Sequence, residues 1–527
     1  MDSPFETFDL FFGDGHHNLR RSEDLENLGP VFETASQHLD FYPLAYYTAD
    51  SEAFQGTAHL SETNERTGLV VEDWKTQERL EREWRLLQEA TRKYHQPGSF
   101  VTFPGYEWQG NGTSGDHNVY YKSEGPPIHR VDTLAELYDR VRGTDAVVIP
   151  HHTAYRTGWR GKDWSCLDEA LSPFSEVFSL HGCSETDEEW VGLRHNAHMG
   201  PGLGDGSYEE ALRRGIHLGA VCSGDNWSLL AGCHGNGLMA CWAPKLERDA
   251  IWNAFKARRV YGVTGDRIQV MFSVNGTPMG GRIASSVPRK IRVRVKGCDA
   301  LDRIELLRSG RVIATHCHQG TWKLPPWDSP CKFKIRVEYG WGPLCRDFEQ
   351  PARDWLGLIE VKDGRILNAE PAWQTLGQEI PVIASNKATW RGKTEQEAVT
   401  RRAQNAFLFE IEAPLGAPVR VELNGQRKEA TVREFMLKSD LLWFKEEAEA
   451  LLKQKLGWAR KSLPREDPVY FSAYRVKIHR AIPEKGYSFL WEVEDDEPFE
   501  KEIHYRVRVE QRNGHRAWTS PVWVRPG

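Results

Sequence analysis

Short apolar segments that each end in histidine, aspartate or glutamate recur through the first half of the sequence, and they constrain its fold most. They read DLFFGD, SFVTFPGYEW, DAVVIPHH, FSEVFSLHG and IHLGAVCSGDN. Between them lie amphipathic patterns of helical period, such as DWKTQERLEREWRLLQEATRKY and RDAIWNAFKARR. Strands that alternate with helices and carry reactive residues at their C-terminal ends are typical of an α/β barrel. We therefore expect such a barrel over residues 1–270, with the active site at the strand ends.

The pattern changes after residue 270. Alternating apolar and polar residues bounded by turn residues, as in KIRVRVKG and RIELLRSGRVIATH, predict antiparallel β-hairpins. We expect a β-sandwich-like domain over 271–375 and a second β-rich domain over 376–527. In the second of these, SDLLWFKEEAEALLKQKLGWARKS predicts one helix capped by Ser439 and Asp440.

Charge and composition argue against several classes of function. The net charge of −7 provides no basic surface for nucleic acid or anionic lipid. No run of about 18 apolar residues predicts a membrane span, and the first 18 residues lack the basic and apolar regions of a signal peptide. The nine cysteines form no CxxC pair and fit reduced thiols. We expect a cytoplasmic protein with a small-molecule or saccharide substrate, and the sequence leaves a homo-oligomer open.

The polar residues at the predicted strand ends form the candidate site. Histidine is concentrated there, with 14 of the 19 histidines before residue 270. Imidazoles and carboxylates from several strand ends can hold Zn or Mn, and such an ion activates water by lowering its pKa to about 7. The candidate metal ligands are His16, Glu107, His151, His152 and Asp225. The candidate catalytic groups are Glu107, His117, His152 and Asp225. The candidate substrate-binding residues are Asn18, Trp108, Arg156, Trp159, His181 and Trp227.

Several of these residue types also have a purely structural interpretation. Twenty tryptophans could pack the domains or could provide platforms for a sugar ring. Arg156, Arg160 and Lys162 could neutralise a phosphate or could lie in a solvated loop. For Asp266 and Arg267, in VYGVTGDRI, a structural ion pair is the simpler expectation.

The segment FFGDGHHN resembles the first metal motif of the PHP (polymerase and histidinol phosphatase) superfamily, which usually reads Gly-Asp-Leu-His-x-His. PGYEWQGNGTSGDHNVYY, VVIPHHTAYRTGW, SEVFSLHGCSE and GAVCSGDNW follow in the order of a large branch known only as a domain of unknown function. GLMACWAPKLERDAIWNAFKARRVYGVTGDRI and HYRVRVEQRNGHRAWTSPVWV resemble that branch over longer stretches. This resemblance implies a distorted (β/α)7 barrel with a mono- to trinuclear metal site that hydrolyses phosphoesters or related bonds.

The sequence departs from that motif set at three places. Asn18 stands where the second histidine is usual, and YYTADSEAF lacks the Thr-Asp-His of the second strand end. Trp227 stands where a histidine usually follows Asp225. An amide is a poor metal ligand beside imidazole, and an indole N–H cannot ligate. We therefore expect one Zn or Mn ion, or none, instead of a trinuclear cluster.

Two other functions remain open from the sequence. One is a carbohydrate-active enzyme on the same scaffold, in which Glu107 pairs with Asp116 or Asp225 as acid and base. The other is a non-catalytic ligand-binding protein whose metal site has decayed, which the substitutions at Asn18 and Trp227 would explain.

Overall fold

The chain folds into two compact units. Unit 1 comprises Met1–Gly297, Leu301–Cys317 and Phe489–Gly527, and unit 2 comprises Cys298–Ala300 and His318–Ser488. The computed structural model describes residues 5–19, 25–49, 75–186, 193, 204–226, 230–286, 288–340, 352–395, 404–457 and 473–527. The division of the chain into domains at residues 270 and 375 stays a prediction. Unit 1 nevertheless groups the C-terminal segment Phe489–Gly527 with Met1–Gly297.

Unit 1 contains most of the short strands that the sequence pattern predicts. Its first thirteen strands are β1 (Asp9–Gly13), β2 (Asn18–Leu19), β3 (Phe41–Pro43), β4 (Ala45–Tyr47), β5 (Val101–Phe103), β6 (Gly105–Trp108), β7 (His117–Tyr121), β8 (Ala146–Pro150), β9 (Phe174–Ser179), β10 (Gly182–Cys183), β11 (Gly219–Cys222), β12 (Leu238–Ala243) and β13 (Val260–Val263). The next six are β14 (Gln269–Val274), β15 (Thr277–Pro278), β16 (Arg282–Ser285), β17 (Arg289–Lys296), β18 (Leu301–Arg308) and β19 (Arg311–Cys317).

The strands that follow along the chain are longer on average. They are β20 (Pro330–Gly340), β21 (Arg353–Val361), β22 (Arg365–Ala372), β23 (Val382–Ala384), β24 (Lys387–Thr394), β25 (Gln404–Pro414), β26 (Pro418–Leu423), β27 (Gln426–Thr431), β28 (Asp440–Trp443), β29 (Arg475–Ile478) and β30 (Ile482–Pro483). The last four are β31 (Ser488–Asp495), β32 (Ile503–Gln511), β33 (Arg516–Thr519) and β34 (Val522–Pro526).

Helices are few among the described residues. They are α1 (Gly29–His38), α2 (Gln77–Tyr94), α3 (Leu134–Val141), α4 (Tyr208–Arg213), α5 (Arg248–Lys256), α6 (Val432–Leu437), α7 (Lys445–Leu456) and α8 (Glu484–Tyr487), with 3₁₀ turns at Trp164–Cys166 and Gly204–Gly206. None of them combines the length and the apolar character that a membrane crossing requires.

Local sequence explains where the main helices of unit 1 begin. Thr76 caps α2, and its side chain accepts a hydrogen bond from the Arg79 N–H. In α3, Thr133 and Glu136 form a capping box. The helical periods quoted from the sequence thus correctly predicted α2 and α5.

The helix predicted from SDLLWFKEEAEALLKQKLGWARKS begins later than expected. Residues Asp440–Trp443 form β28, which pairs with β29, and the helix α7 begins only at Lys445. The prediction of Ser439 and Asp440 as helix caps was therefore wrong. The apolar residues of DLLW fit either period over so short a stretch, and the pairing with β29 satisfies their backbone groups.

Unit 1 is built from separate sheets that mix parallel and antiparallel pairs. One sheet has the order β2-β4-β6-β7-β8, in which β2, β4 and β6 are parallel and β7 is antiparallel to both of its neighbours. In an eleven-stranded sheet β1, β3 and β5 are parallel, whereas β12 is antiparallel to β1. A third sheet has the order β10-β9-β11. The described part of the chain is therefore mixed α/β with many strands, and a (β/α)7 barrel is not confirmed.

The C-terminal strands complete the eleven-stranded sheet. Its order runs β16-β34-β32-β33-β13-β12-β1-β3-β5, and β18 joins through β32. The chain leaves unit 1 after Cys317 and returns at Phe489. These two points lie side by side, because the ring of His316 stacks on that of Phe489 with 3.7 Å between centroids.

Unit 2 consists largely of two antiparallel sheets. Their orders are β22-β25-β20-β29-β28 and β23-β24-β21-β26-β27. Aromatic side chains pack inside the unit, with Tyr339 lying 5.5 Å from Trp355 between ring centroids. The prediction of β-rich structure after the first part of the chain is confirmed at this level.

Candidate metal centre

Four buried side chains of unit 1 converge on one small space. His16, His151, Glu176 and Asp225 each offer one oxygen or nitrogen atom, and these atoms all lie within 4.8 Å of one another. His16 follows β1, His151 follows β8, Glu176 lies within β9, and Asp225 follows β11. Strands from three sheets thus supply the group, which has the mixture of imidazole and carboxylate that Zn and Mn accept.

His16 lies among three carboxylates. Its Nδ1 lies 3.1 Å from Glu176 Oε2, and its Nε2 lies 3.4 Å from Glu107 Oε2 and 3.5 Å from Asp225 Oδ1. Burial favours the neutral ring, but the Asp225 charge and the hydrogen bonds with Glu107 and Glu176 raise the pKa of His16 well above its ordinary value. Without a metal ion, a proton on this ring is the counter-charge to the carboxylates.

Glu107 contacts two histidines of the group. Its Oε1 lies 3.9 Å from His151 Nε2, whereas its Oε2 faces His16. The Gln109 amide donates a hydrogen bond of 3.1 Å to the same Oε1 and another of 3.0 Å to the Tyr47 hydroxyl. These bonds fix the carboxylate in the space between the two imidazoles.

Asp225 contacts several polar side chains. Its Oδ2 lies 3.1 Å from His181 Nε2 and 3.8 Å from His151 Nδ1, and its Oδ1 accepts a 3.3 Å hydrogen bond from the Asn18 amide. Burial opposes its ionisation, but His16 and His181 lower the pKa of Asp225 well below its usual range. The carboxyl group is therefore ionised in the folded protein and available to a cation.

His151 is the member whose polar atoms are least satisfied. It is 1% exposed, and neither ring nitrogen has a hydrogen-bond partner among the described residues. Burial and the neighbouring His152 and His16 lower the pKa of His151 well below its ordinary value, so the ring is neutral. Buried polar atoms nearly always have partners, and a neutral imidazole with a spare lone pair is a metal ligand. This donor set fits a divalent ion.

His152 forms two further groups beside the first. It meets Asp116 and His151 in one and His181 and Asp225 in the other, again with ligand atoms within 4.8 Å. His152 Nε2 lies 3.4 Å from Asp116 Oδ2. The backbone adopts positive φ at His152 (34°) and at Asp225 (46°). Such conformations are costly for residues other than glycine and persist where surrounding contacts impose them, often at functional sites.

Arg160 and Lys162 bring buried positive charge to the same region. Arg160 Nε donates to Asp116 Oδ2 at 2.8 Å, and despite burial this guanidinium together with His152 keeps the pKa of Asp116 low. Lys162 is 1% exposed, and burial lowers the pKa of its amine to about 8. Arg156, in contrast, is exposed.

Asp14 organises the backbone beside the centre and does not join it. Its Oδ1 accepts hydrogen bonds from the N–H groups of His16 (3.0 Å) and Gly224 (2.8 Å), and its Oδ2 accepts one from Gly232 (2.7 Å). A side chain at Gly224 would place a Cβ 2.7 Å from Asp14 Oδ2, which leaves room only for glycine. The Gly-Asp-Gly of FFGDGHHN thus holds the loops that carry His16 and Asp225.

The remaining predicted residues lie around the centre or outside the described residues. His117 is buried beside Trp108 (5.8 Å between ring centroids) and joins none of the three groups. Trp108 is buried, and its indole donates to the Val131 carbonyl at 2.8 Å. Trp159 is half-buried. Trp227 falls outside the described residues, so its predicted position in the pocket stays a prediction.

Glu176 is the residue that prediction from the sequence missed. Besides His16, it contacts the Ser223 hydroxyl (2.5 Å) and the His152 N–H (3.4 Å). It stands inside the buried strand FSEVFS and is 1% exposed. A glutamate within a short strand flanked by phenylalanines and valine was the available indication, since an ionisable group is rarely buried without a partner.

Comparison with known proteins points to a family of unknown function. The family described as "Protein of unknown function (DUF3604)" matches residues 31–140 and 181–284. Those segments contain Glu107, Asp116, His181 and Asp225, whereas His16, His151, His152 and Glu176 lie outside them. The match supports the part of the sequence-based resemblance that concerned a domain of unknown function.

Two relatives show the same limited overlap. An uncharacterised protein of Chlamydia pneumoniae is 24% identical over 256 residues, which are 44% of this chain and 40% of that protein. An uncharacterised protein of Chlamydia muridarum is 26% identical over 202 residues, which are 36% of this chain and 32% of that protein. The chain thus spans two fifths or less of the length of these relatives.

One solved structure is distantly similar. It is a two-domain protein from Bacteroides vulgatus, described as containing a predicted PHP-like metal-dependent phosphoesterase. The sequences are 11% identical, and the match covers 57% of this chain and 80% of that chain with a TM-score of 0.31. A TM-score this low does not assign a fold or an activity to this chain.

Proposed function

We propose that this protein is a metal-dependent hydrolase of phosphoesters or related esters, of the PHP type. The observation that carries the proposal is the convergence of His16, His151, Glu176 and Asp225, with both ring nitrogens of His151 lacking hydrogen-bond partners among the described residues. The distorted (β/α)7 barrel of that type belongs to the same proposal. The strained backbone at His152 and Asp225 supports a functional origin for the arrangement.

In this proposal some residues would bind the metal ion, and others orient the residues that bind it. His16, His151, Glu176 and Asp225 would hold one divalent Zn or Mn ion, with Glu107 within reach of His16 and His151. When bound, the ion would polarise an ester oxygen and acidify water. Gln109 orients Glu107, and Asn18 orients Asp225, each through a hydrogen bond from its side-chain amide.

His152 and His181 are the candidates for proton transfer beside that set. The Tyr155 hydroxyl lies 2.9 Å from His181 Nδ1, and Asp225 lies 3.1 Å from its Nε2. Asp116, paired with Arg160, fixes His152 from the other side. Imidazoles oriented in this way can give a proton to a leaving oxygen or take one from water. The buried amine of Lys162 favours an anionic substrate, because it would offset the substrate's charge.

The test measures both the metal content and the turnover of the protein. Protein purified without chelator should contain metal by mass spectrometry and should hydrolyse members of a phosphoester panel in the presence of Zn or Mn. His151→Gln should bind less metal and lose turnover, whereas His95→Gln, a half-buried histidine whose ring faces the Thr102 N–H, should match wild type in both. Metal-free protein with no metal-stimulated turnover on any ester would overturn the proposal.

The two other functions remain predictions with less support. Trp108, one proposed sugar platform, has its indole turned to the Val131 carbonyl and is 1% exposed. A decayed, non-catalytic site would have no reason to keep His151 buried and neutral against two carboxylates.

A further inference from the structure

A second cluster of metal-binding residue types lies in unit 1, apart from the candidate metal centre. His234, Asp266 and His515 each offer one ligand atom, and the three atoms lie within 4.8 Å of one another. Asp266 Oδ1 lies 2.9 Å from His234 Nε2 and 3.9 Å from His515 Nε2. The two imidazole rings are 4.6 Å apart between centroids. None of these residues belongs to the groups around His151.

The distances from Asp266 to the two histidines are close to those in a zinc coordination shell. Ligand atoms that lie 2.0–2.2 Å from a tetrahedral Zn are about 3.4 Å from one another. The measured separations of 2.9 and 3.9 Å lie on either side of this value. The third pair, His234 and His515, also has its ligand atoms within 4.8 Å of each other. Side-chain exposures of 12% and 17% for the two histidines leave an approach from solvent.

Neighbouring polar groups hold these ligands in the required orientation. The other carboxylate oxygen of Asp266, Oδ2, accepts hydrogen bonds from the amides of Gln511 (2.9 Å) and Asn513 (2.7 Å). The Thr264 hydroxyl lies 2.9 Å from His515 Nδ1, which orients the ring with Nε2 towards Asp266. A carboxylate and a histidine with their second atoms occupied in this way are typical of metal sites.

The three residues come from distant parts of the chain. His234 lies in the loop between β11 and β12, Asp266 lies between β13 and β14, and His515 lies in the turn that joins β32 to β33. An ion bound to all three would therefore connect the C-terminal hairpin to the loop that follows Asp225. We propose that His234, Asp266 and His515 form a second divalent-metal site, selective for zinc-like ions, that fastens the β32–β33 hairpin to the first part of unit 1.

The competing explanation is an ion pair without metal. Asp266 with one protonated histidine would produce the same contacts. The sequence led us to expect a structural ion pair at Asp266 and Arg267, whereas Asp266 lies against His234 and His515. The two explanations differ in what zinc does. A metal site predicts one additional bound zinc per chain and a hairpin whose amide exchange depends on zinc, whereas an ion pair predicts neither.

The experiment uses the full chain stripped of metal and then titrated with Zn²⁺ alone. Metal retained after desalting is counted by mass spectrometry, and hydrogen exchange is followed at the amides of Gln511–Arg516. Wild type should retain one more equivalent than His515→Gln, and zinc should slow hairpin exchange about tenfold in wild type but not in the variant. Asp266→Asn should behave like His515→Gln.

Two further variants make the outcome specific. His217→Gln is the matched control, because His217 contacts Glu169 (3.2 Å) and Glu502 (2.6 Å) near the same C-terminal strands without forming a ligand group. It should retain the wild-type count and the zinc effect. His151→Gln tests the candidate metal centre and should keep the zinc effect on the hairpin. Equal zinc counts and zinc-independent hairpin exchange in wild type and His515→Gln would overturn the second site, whatever the result at His151.

Discussion

Nδ1 of His16 lies 3.1 Å from Oε2 of Glu176, although 160 positions separate the two residues in the chain. The same carboxylate contacts the Ser223 hydroxyl and the His152 N–H. Glu176 therefore connects the ends of β1, β8 and β11, and it orients His16 whether or not it touches an ion itself.

Glu176→Gln should weaken metal binding without unfolding the protein. The amide keeps the size of the carboxylate but removes its charge. Changes to groups that only orient metal ligands typically reduce affinity about 10–100-fold, so the loss at this proposed ligand should be at least as large. Zinc or manganese titration of the stripped protein measures this directly. Glu169→Gln, at a side chain 41% exposed, is the control and should bind metal like wild type. Equal affinities in all three proteins would contradict the role of Glu176.

Asp14→Asn should lower the free energy of unfolding by about 2 kcal/mol. An amide oxygen can replace only one of the two carboxylate oxygens, so N–H groups that now donate to Asp14 would lose their acceptor while buried. Urea denaturation of the variant against wild type gives the difference. Asp9→Asn, at an exposed aspartate of the same strand region, should change stability by less than about 0.5 kcal/mol. A neutral result for Asp14→Asn would show that these bonds contribute little.

Arg506→Met should destabilise unit 1 by about 3–5 kcal/mol. Arg506 is 1% exposed and pairs with the fully buried Glu185 and with Glu209 at 2.5 Å. Its removal would leave the buried Glu185 charge with only the more distant Arg508 (3.4 Å) and the Trp518 indole, which donates to it at 2.7 Å. Adding Glu185→Gln to Arg506→Met should recover part of the loss, because the amide keeps an acceptor for Trp518 but carries no charge. A double variant as unstable as the sum of the single changes would contradict this account.

Acid should destabilise the protein partly through His504. Burial and the nearby Arg506 lower the pKa of His504 to about 3 from an ordinary value of 6.5. Because the unfolded chain takes up this proton first as the pH falls, stability is complete above about pH 6.5 and declines between pH 6.5 and 3. One such group contributes a slope of up to about 1.4 kcal/mol per pH unit. His504→Gln should flatten the dependence of unfolding free energy on pH in this window, and equal slopes would show that other groups dominate.

The sequence predicted individual strands and helices more successfully than it predicted which strands pair. The apolar run of FDLFFGD and the capped helical period of Gln77–Tyr94 are set by neighbouring residues, and both elements form as expected. The antiparallel pairing of β1 with β12 and the arrival of β33 beside β13 depend on residues more than 200 positions apart. No local pattern encodes such contacts, which is why a parallel barrel was the simpler prediction.

The same distinction between local pattern and long-range contact applies to the candidate site. Polar residues that directly follow an apolar run, such as His16, His151 and Asp225, could be recognised from order along the chain. Glu176 could not be distinguished from other glutamates by sequence, because what marks it as a candidate ligand is its contact with His16 and Ser223, which lie elsewhere in the chain. For Trp108 the sequence left both a platform and a packing role open, and only the hydrogen bond from its indole to Val131 shows which way the ring faces.

Residues His318–Ser488 of unit 2 interrupt unit 1 in the sequence, and this affects folding during synthesis. Strand β13 pairs with β33 from Tyr261 opposite Thr519 to Val263 opposite Ala517, so one edge of β13 stays open while the ribosome synthesises all of unit 2. An open strand edge invites pairing with other chains, and nascent chains that wait for a late segment are prone to aggregate. His316 and Phe489 lie where the chain leaves and re-enters unit 1, and their rings can stack as soon as Phe489 has been synthesised. Folding of unit 1 is therefore completed late in translation, and a chaperone that shields β13 during that interval should raise the yield of native protein.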